Sequence, residues 1–218
     1  MKLQLLVTLA AVLTVGAIFT AKGLPPSKSF ARAVFDFDIE QIRRSAMWGE
    51  DLNQSVDEVG SLLHRAAWEG RADVAGLALT WGADVNKTQE CMNATPLHWA
   101  GEHGHTEVVG VLVAGGANVQ ARDLYDRTPL HLVAGNGDND VAELLIAHGA
   151  EVNATDEQGW APLHLTAENG SKEVAELLIA HGAEVGVKDN SGKTPLQIAL
   201  QRKHKEVADL LREHGAKE

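Results

Sequence analysis

Four histidines, His64, His98, His131 and His164, and then Gln197 follow one another at intervals of 34, 33, 33 and 33 residues. The lines around them can be set one beneath another: SLLHRAAWEGRADVAGLALTWGADVN, TPLHWAGEHGHTEVVGVLVAGGANVQ, TPLHLVAGNGDNDVAELLIAHGAEVN, APLHLTAENGSKEVAELLIAHGAEVG and TPLQIALQRKHKEVADLLREHGAKE. A unit this short cannot bury an apolar face alone, so each copy must supply core surface to the next. The period therefore predicts a stack of similar units rather than one closed core.

Within a unit the residues read as two helices and a loop. Thr95, Thr128 and Thr194 can cap a helix start, and Pro96, Pro129 and Pro195 then take the first helical position, where no amide hydrogen is needed. Gly70, Gly104, Gly137 and Gly170 end that first helix. A second helix opens on Asp73, Glu107, Asp140, Glu173 and Glu206, acids suited to the positive end of the helix dipole. Its apolar residues fall at i, i+3 and i+4, as in Val141, Leu144, Leu145 and Val174, Leu177, Leu178, which predicts one inward stripe. Gly82, Gly116, Gly149, Gly182 and Gly215 close it, and the polar, Gly-bearing link that follows suits a hairpin-like finger.

The TPLH start, the glycine between helices, the G-A-x-V-N ending and the 33-residue period resemble the ankyrin repeat. The resemblance implies an all-α fold, an ankyrin-repeat solenoid of helix-turn-helix units with hairpin-like fingers. Five units are expected across 58–218, at about 61–93, 94–126, 127–159, 160–192 and 193–218. Residues 29–57 resemble a degraded unit without TPLH and are expected to cap the N-terminal end, after a linker at 24–28. The last unit carries Gln197 for histidine and Lys203 for glycine, and its added polarity suits a C-terminal cap. Ala161 replaces a capping threonine, a loss worth about 1 kcal/mol.

Ahead of the repeats, residues 1–23 hold a basic Lys2 and then an uncharged run from Leu3 to Ala21, which reads as a signal peptide or a membrane anchor. Either implies export: a periplasmic or secreted protein, or one held at the membrane by that segment. Without it the chain keeps 17 basic against 30 acidic residues. That balance excludes nucleic acid and an anionic lipid surface as partners. Cys91 is the single cysteine, so no internal disulfide can form, and it is either an inert thiol or an intermolecular link.

Ten histidines raise the question of a metal. In the ankyrin family the histidine of TPLH bonds neighbouring backbone, and the resemblance implies that structural role for His98, His131 and His164. One imidazole per unit also lacks the convergence a metal needs. The exception is the local group His98, His103 and His105, the basis of an alternative reading as a metal-dependent hydrolase. No nucleophile elbow or phosphate loop occurs, so no catalytic residue and no cofactor is assigned. The paired acids Asp140 and Glu143, Glu173 and Glu176, Glu206 and Asp209 recur along the stack and read as solvated helix surface.

In ankyrin arrays partners lie along the fingers and first helices, so positions that vary between matched units are the candidate contacts with another protein. On the fingers these are Leu124, Tyr125, Arg127, Glu157, Gln158, Trp160 and Lys193, and on the first helices Trp68, Glu102, His103, Asn136 and Asn169. Trp68 and Trp160 are either partner anchors or packing against an adjacent finger, while Trp81 and Trp99 are expected between units. The finger from Lys87 to Ala94 is one residue longer, which predicts a freer loop. The expected function is a monomeric protein-binding scaffold, with a membrane-tethered anchor as the alternative.

Overall fold

A computed structural model of the chain describes residues 27–56 and 60–217. Twelve helices and no strand occur among the described residues, arranged as six successive pairs. The pairs are α1 (Ser27–Asp36) with α2 (Ile39–Met47), α3 (Leu62–Trp68) with α4 (Ala72–Thr80), α5 (Pro96–Glu102) with α6 (Thr106–Ala114), α7 (Pro129–Asn136) with α8 (Asn139–Ala147), α9 (Pro162–Asn169) with α10 (Lys172–Ala180), and α11 (Pro195–Arg202) with α12 (Lys205–Glu213). From α3 onward the first helices stack on one another, and so do the second helices, giving two layers.

The helix starts follow from the Thr-Pro pairs: Thr95, Thr128 and Thr194 are N-caps with proline at the first helical position. The turn between helices demands a left-handed residue, supplied by Gly137 at φ 80° in the third unit. In the last unit Lys203 is held in the same region at φ 67°, where a side chain strains the backbone.

One apolar column runs through the stack. Leu63, Leu97, Leu130, Leu163 and Leu196 on the first helices are fully buried, as are Ala78, Leu112, Leu145, Leu178 and Leu211 on the second. The inward stripe expected on the second helices is present, with Leu144 and Leu177 half-buried on its flank and packed against the same core. α1 and α2 join this column through Phe30, Val34 and Ile42. No helix among the described residues is long and apolar enough to cross a membrane. The expected signal or anchor at 1–23 lies outside the described residues.

The fingers are tight turns closed by a few main-chain hydrogen bonds rather than paired strands. Asp123 N–H donates to Arg127 O at 3.0 Å, Asp156 to Trp160 at 3.0 Å and Asp189 to Lys193 at 2.9 Å. Adjacent fingers are also joined, through Leu124 N–H to Met92 O at 2.8 Å, Glu157 to Tyr125 at 3.1 Å and Asn190 to Gln158 at 3.0 Å. The longer Lys87–Ala94 finger is tied rather than free. Gln89 N–H reaches Ala94 O at 2.8 Å, and the Asn93 amide donates to Arg122 O at 3.1 Å.

Candidate interaction surface

The histidines of the TPLH line form a ladder that fixes each finger to the unit before it. In each ring Nε2 faces a main-chain carbonyl of the next finger: His64 to Ala94 at 3.1 Å, His98 to Arg127 at 3.0 Å, His131 to Trp160 at 3.1 Å and His164 to Lys193 at 3.3 Å. A carbonyl only accepts, so Nε2 carries the hydrogen and Nδ1 is the acceptor. Nδ1 receives the N-cap amide, from Thr95 and Thr128 at 3.1 Å and from Ala161 at 2.9 Å. The Thr95 and Thr128 hydroxyls add a second contact to the same nitrogen at 2.9 and 2.8 Å, so these threonines hold the imidazole as well as the helix start. What Ala161 lacks is that hydroxyl contact on His164.

Both ring nitrogens are thereby committed with the imidazole neutral, and its burial opposes protonation. Burial pushes His64 down from 6.5 to about 4, and it lowers His98, His131 and His164 as well. In the last unit Gln197 imitates half of this arrangement, its Oε1 accepting the Thr194 amide at 3.1 Å.

A second set of anchors was not singled out from sequence. The buried carboxylates Asp123, Asp156 and Asp189 organise the finger turns. Asp123 Oδ1 accepts the Tyr125 and Arg127 amides at 2.9 Å each, and Asp189 Oδ1 accepts Ser191 and Lys193 at 2.9 and 2.8 Å. Burial works to raise the Asp189 carboxyl, but the hydrogen bonds from Ser191, Lys193 and Trp160 outweigh it and hold it below the ordinary value. A third set is the terminal Asn of G-A-x-V-N. Asn153 accepts the Glu184 amide at 2.9 Å and donates to Gly182 O at 3.0 Å, bridging consecutive units. The signal for both sets was present in the repetition: the aspartate recurs at Asp123, Asp156 and Asp189, and a side-chain amide at Asn53, Asn86, Gln120 and Asn153.

These anchors decide which variable finger residues are available. Leu124 is 58% exposed and Tyr125 40% exposed, and both project from their finger. Arg127 is committed to Asp123, with Nη2 at 2.7 Å, and its guanidinium covers one face of Tyr125 at 5.1 Å. Trp160 is half-buried, donates its indole N–H to Asp189 Oδ2 at 3.1 Å and stacks on His164, which is the packing alternative for this residue. Glu157 and Gln158 are exposed, and the Lys193 ammonium reaches Gln201 Oε1 at 3.2 Å.

On the first helices, Trp68 is 38% exposed and lies against Trp99 and His103, with ring centroids 4.9 and 4.4 Å away. The Trp99 indole N–H is enclosed and meets no acceptor among the described residues. Glu102 is exposed, and its main-chain carbonyl accepts from the Asn136 amide, as Gly135 O accepts from Asn169 at 2.7 Å. The fingers and first helices line one groove. At its C-terminal end a cleft of about 450 Å³ is walled by Glu157, Gln158, Trp160 and Lys193 and floored by Glu168, Ile198, Gln201 and Arg202.

The His98, His103 and His105 group does not converge. His98 is buried with both nitrogens engaged, while His103 Nδ1 donates to Trp99 O at 2.9 Å and His105 Nε2 to Trp68 O at 3.0 Å. Among the described residues no group of three or more His, Cys, Asp or Glu is placed to hold a metal ion. The recurring acids of the second helices face outward: Glu176 pairs with Lys172 at 3.1 Å, and Asp209 with Arg212 at 3.5 Å. Cys91 is an exposed free thiol at the longer finger.

The family model described as ankyrin repeats (3 copies) matches residues 63–156 and again 130–218. Among curated proteins, the palmitoyltransferase Hip14 of Drosophila melanogaster is 41% identical over 85 residues, 39% of this chain and 13% of its own length. The putative palmitoyltransferase ZDHHC13 of Danio rerio is 34% identical over 85 residues, with the same coverage. The palmitoyltransferase ZDHHC17 of Danio rerio is 37% identical over 79 residues, 36% of this chain and 13% of its own. This chain thus matches about an eighth of the length of these relatives.

Proposed function

The chain belongs to the ankyrin-repeat family, and from that premise we propose that it is a non-catalytic scaffold that binds a protein partner along the groove between its fingers and first helices. The observation that carries this reading is the division of labour among the side chains. Residues that recur along the stack, the histidines from His64 to His164, the finger aspartates Asp123, Asp156 and Asp189, and asparagines such as Asn86 and Asn153, are spent on holding units together. Leu124, Tyr125, Trp68 and Glu102, which differ between units, stand exposed along the groove. Exposed aromatics bordered by polar groups suit protein recognition. The likeness to palmitoyltransferases takes in 13% of their length, and a reading as a transferase has nothing further behind it.

The same proposal places the array outside the cytoplasm, or at a membrane, on the strength of the uncharged run from Leu3 to Ala21. A mature chain lighter by about two kilodaltons marks a cleaved signal; full mass in the membrane fraction marks an anchor. The binding reading is tested by capture from the native host with the full chain, comparing wild type with Leu124→Ala and Tyr125→Ala. A partner that is lost with these variants and kept with Glu143→Gln, on the outer face of α8, supports the groove. A partner indifferent to both finger changes refutes it.

A further inference from the structure

The cleft at Trp160 and Arg202 has a counterpart two units earlier. Moving back 66 positions carries Glu168 onto Glu102, Gln201 onto Gly135 and Arg202 onto Asn136, while Ser191 and Lys193 on the finger fall on Tyr125 and Arg127. In the C-terminal copy the groove's own carboxylate is answered from within. Arg202 clamps Glu168 with both arms of its guanidinium, Nε to Oε2 at 2.7 Å and Nη2 to Oε1.

The earlier copy keeps the acid and loses the arginine. Glu102 is exposed, and it takes part in none of the ion pairs found among the described residues. Asn136, in Arg202's place, spends its amide on the Glu102 main-chain carbonyl and offers the carboxylate no charge. Gly135 removes the side chain that Gln201 provides in the later copy. The space there is open, since a Cβ built on Gly135 would meet only the Asn169 amide at 3.6 Å.

The walls suit the same guest. Tyr125 already accepts one guanidinium, that of Arg127, on one face, and Trp68 holds in the preceding unit the position that Glu102 holds in its own. Asp126 and Glu157 on the fingers are likewise exposed and outside every ion pair found among the described residues, so this stretch of groove is acidic as well as aromatic. Planar guanidinium matches a carboxylate with two parallel hydrogen bonds and stacks on aromatic rings, which an ammonium does less well.

We propose that an arginine of the bound protein seats on Glu102, in the place that Arg202 takes on Glu168, with its segment running between the Tyr125 finger and the Trp68 ring. This deepens the scaffold reading and rests on it. The vacant half of an Arg–carboxylate pair selects a basic segment and fixes its register along the groove.

The full chain, immobilised, is used to select binders from a displayed library of random twelve-residue peptides, and the tightest is resynthesised with each arginine changed to lysine or glutamine. The selected peptides are expected to be enriched in arginine over the starting library. Affinity is expected to fall about tenfold or more with Arg→Gln in the peptide or Glu102→Gln in the protein, and less with Arg→Lys. Asn136→Arg supplies the guanidinium from within, as Arg202 does, and is expected to block binding while the thermal melt shows an intact array. Glu143→Gln on the outer face leaves affinity unchanged. Selected peptides without arginine that still lose binding to Tyr125→Ala would overturn the arginine seat and leave the groove standing. Arginine-rich peptides indifferent to Glu102→Gln would overturn the seat as well, and peptides that Glu143→Gln weakens as much would count against the groove itself.

Discussion

Acid should loosen this array through its histidine ladder, and His64 allows the size of the effect to be worked out. In the native state its ring is buried, hydrogen-bonded at both nitrogens and neutral, and titrates at about 4 rather than 6.5. The unfolded chain therefore takes up this proton first as pH falls. A group with a depressed native value contributes stability that is fully present above about pH 6.5 and is lost as pH falls toward the native value. Between pH 7.5 and pH 5 the loss from His64 alone comes to about 2 kcal/mol, rising to about 3 kcal/mol once both forms are ionised. His98, His131 and His164 act in the same direction. Against a usual total of about 5–15 kcal/mol this is a large share. The assay is urea unfolding of wild type and His64→Gln at pH 7.5, 6 and 5. Gln197 is the precedent for the substitution, since it accepts the N-cap amide in the last unit. Wild type should be the more stable at pH 7.5, and the gap should close by about 2 kcal/mol at pH 5 as carboxylate effects common to both cancel. Parallel curves over that range would refute the neutral, doubly bonded ring.

Other substitutions address single anchors. Ala161→Thr restores the hydroxyl that Thr95 and Thr128 place on their histidines, and should raise stability by about 1 kcal/mol in urea unfolding. Lys203→Gly relieves a side chain held at φ 67° and should stabilise by about 0.5–1 kcal/mol, read as a higher urea midpoint with unchanged slope. Leu178→Ala empties a fully buried site shared by neighbouring units and should cost about 2–5 kcal/mol. Asp189→Ala removes the acceptor of the Trp160 indole N–H, and should alter tryptophan fluorescence while far-ultraviolet circular dichroism keeps its helical signal.

Much of the fold was legible because a repeat states its structural requirements several times over. Pro96, Pro129 and Pro195 mark the helix starts, and the burial of Leu145 and Leu178 follows from their spacing. The length of the Lys87–Ala94 finger misled, because the extra residue is absorbed within the turn, where Asn93 N–H closes on Gln89 O four residues back while Asp126 closes on Asp123 three back, and the Asn93 side chain then bonds the next finger. Loop length predicts freedom only when the added residue brings no hydrogen bond of its own.

The groove was harder to read for a different reason. Ranking variable residues by type put Arg127 and Trp160 beside Tyr125, yet availability depends on partners elsewhere in the chain: Asp123 four residues before Arg127, and Asp189 in the finger after Trp160. A variable residue whose side-chain N–H reaches a recurring acid is already spoken for, and the recurrence of Asp123, Asp156 and Asp189 was there to be used. The same comparison, applied to charge, separates Glu168 from Glu102. Two acids equivalent by position differ because the following unit supplies Arg202 in one case and Asn136 in the other. In a stack, the meaning of a side chain is set by the unit that follows it. The sites left for a partner are therefore those where a residue's internal counterpart has been removed.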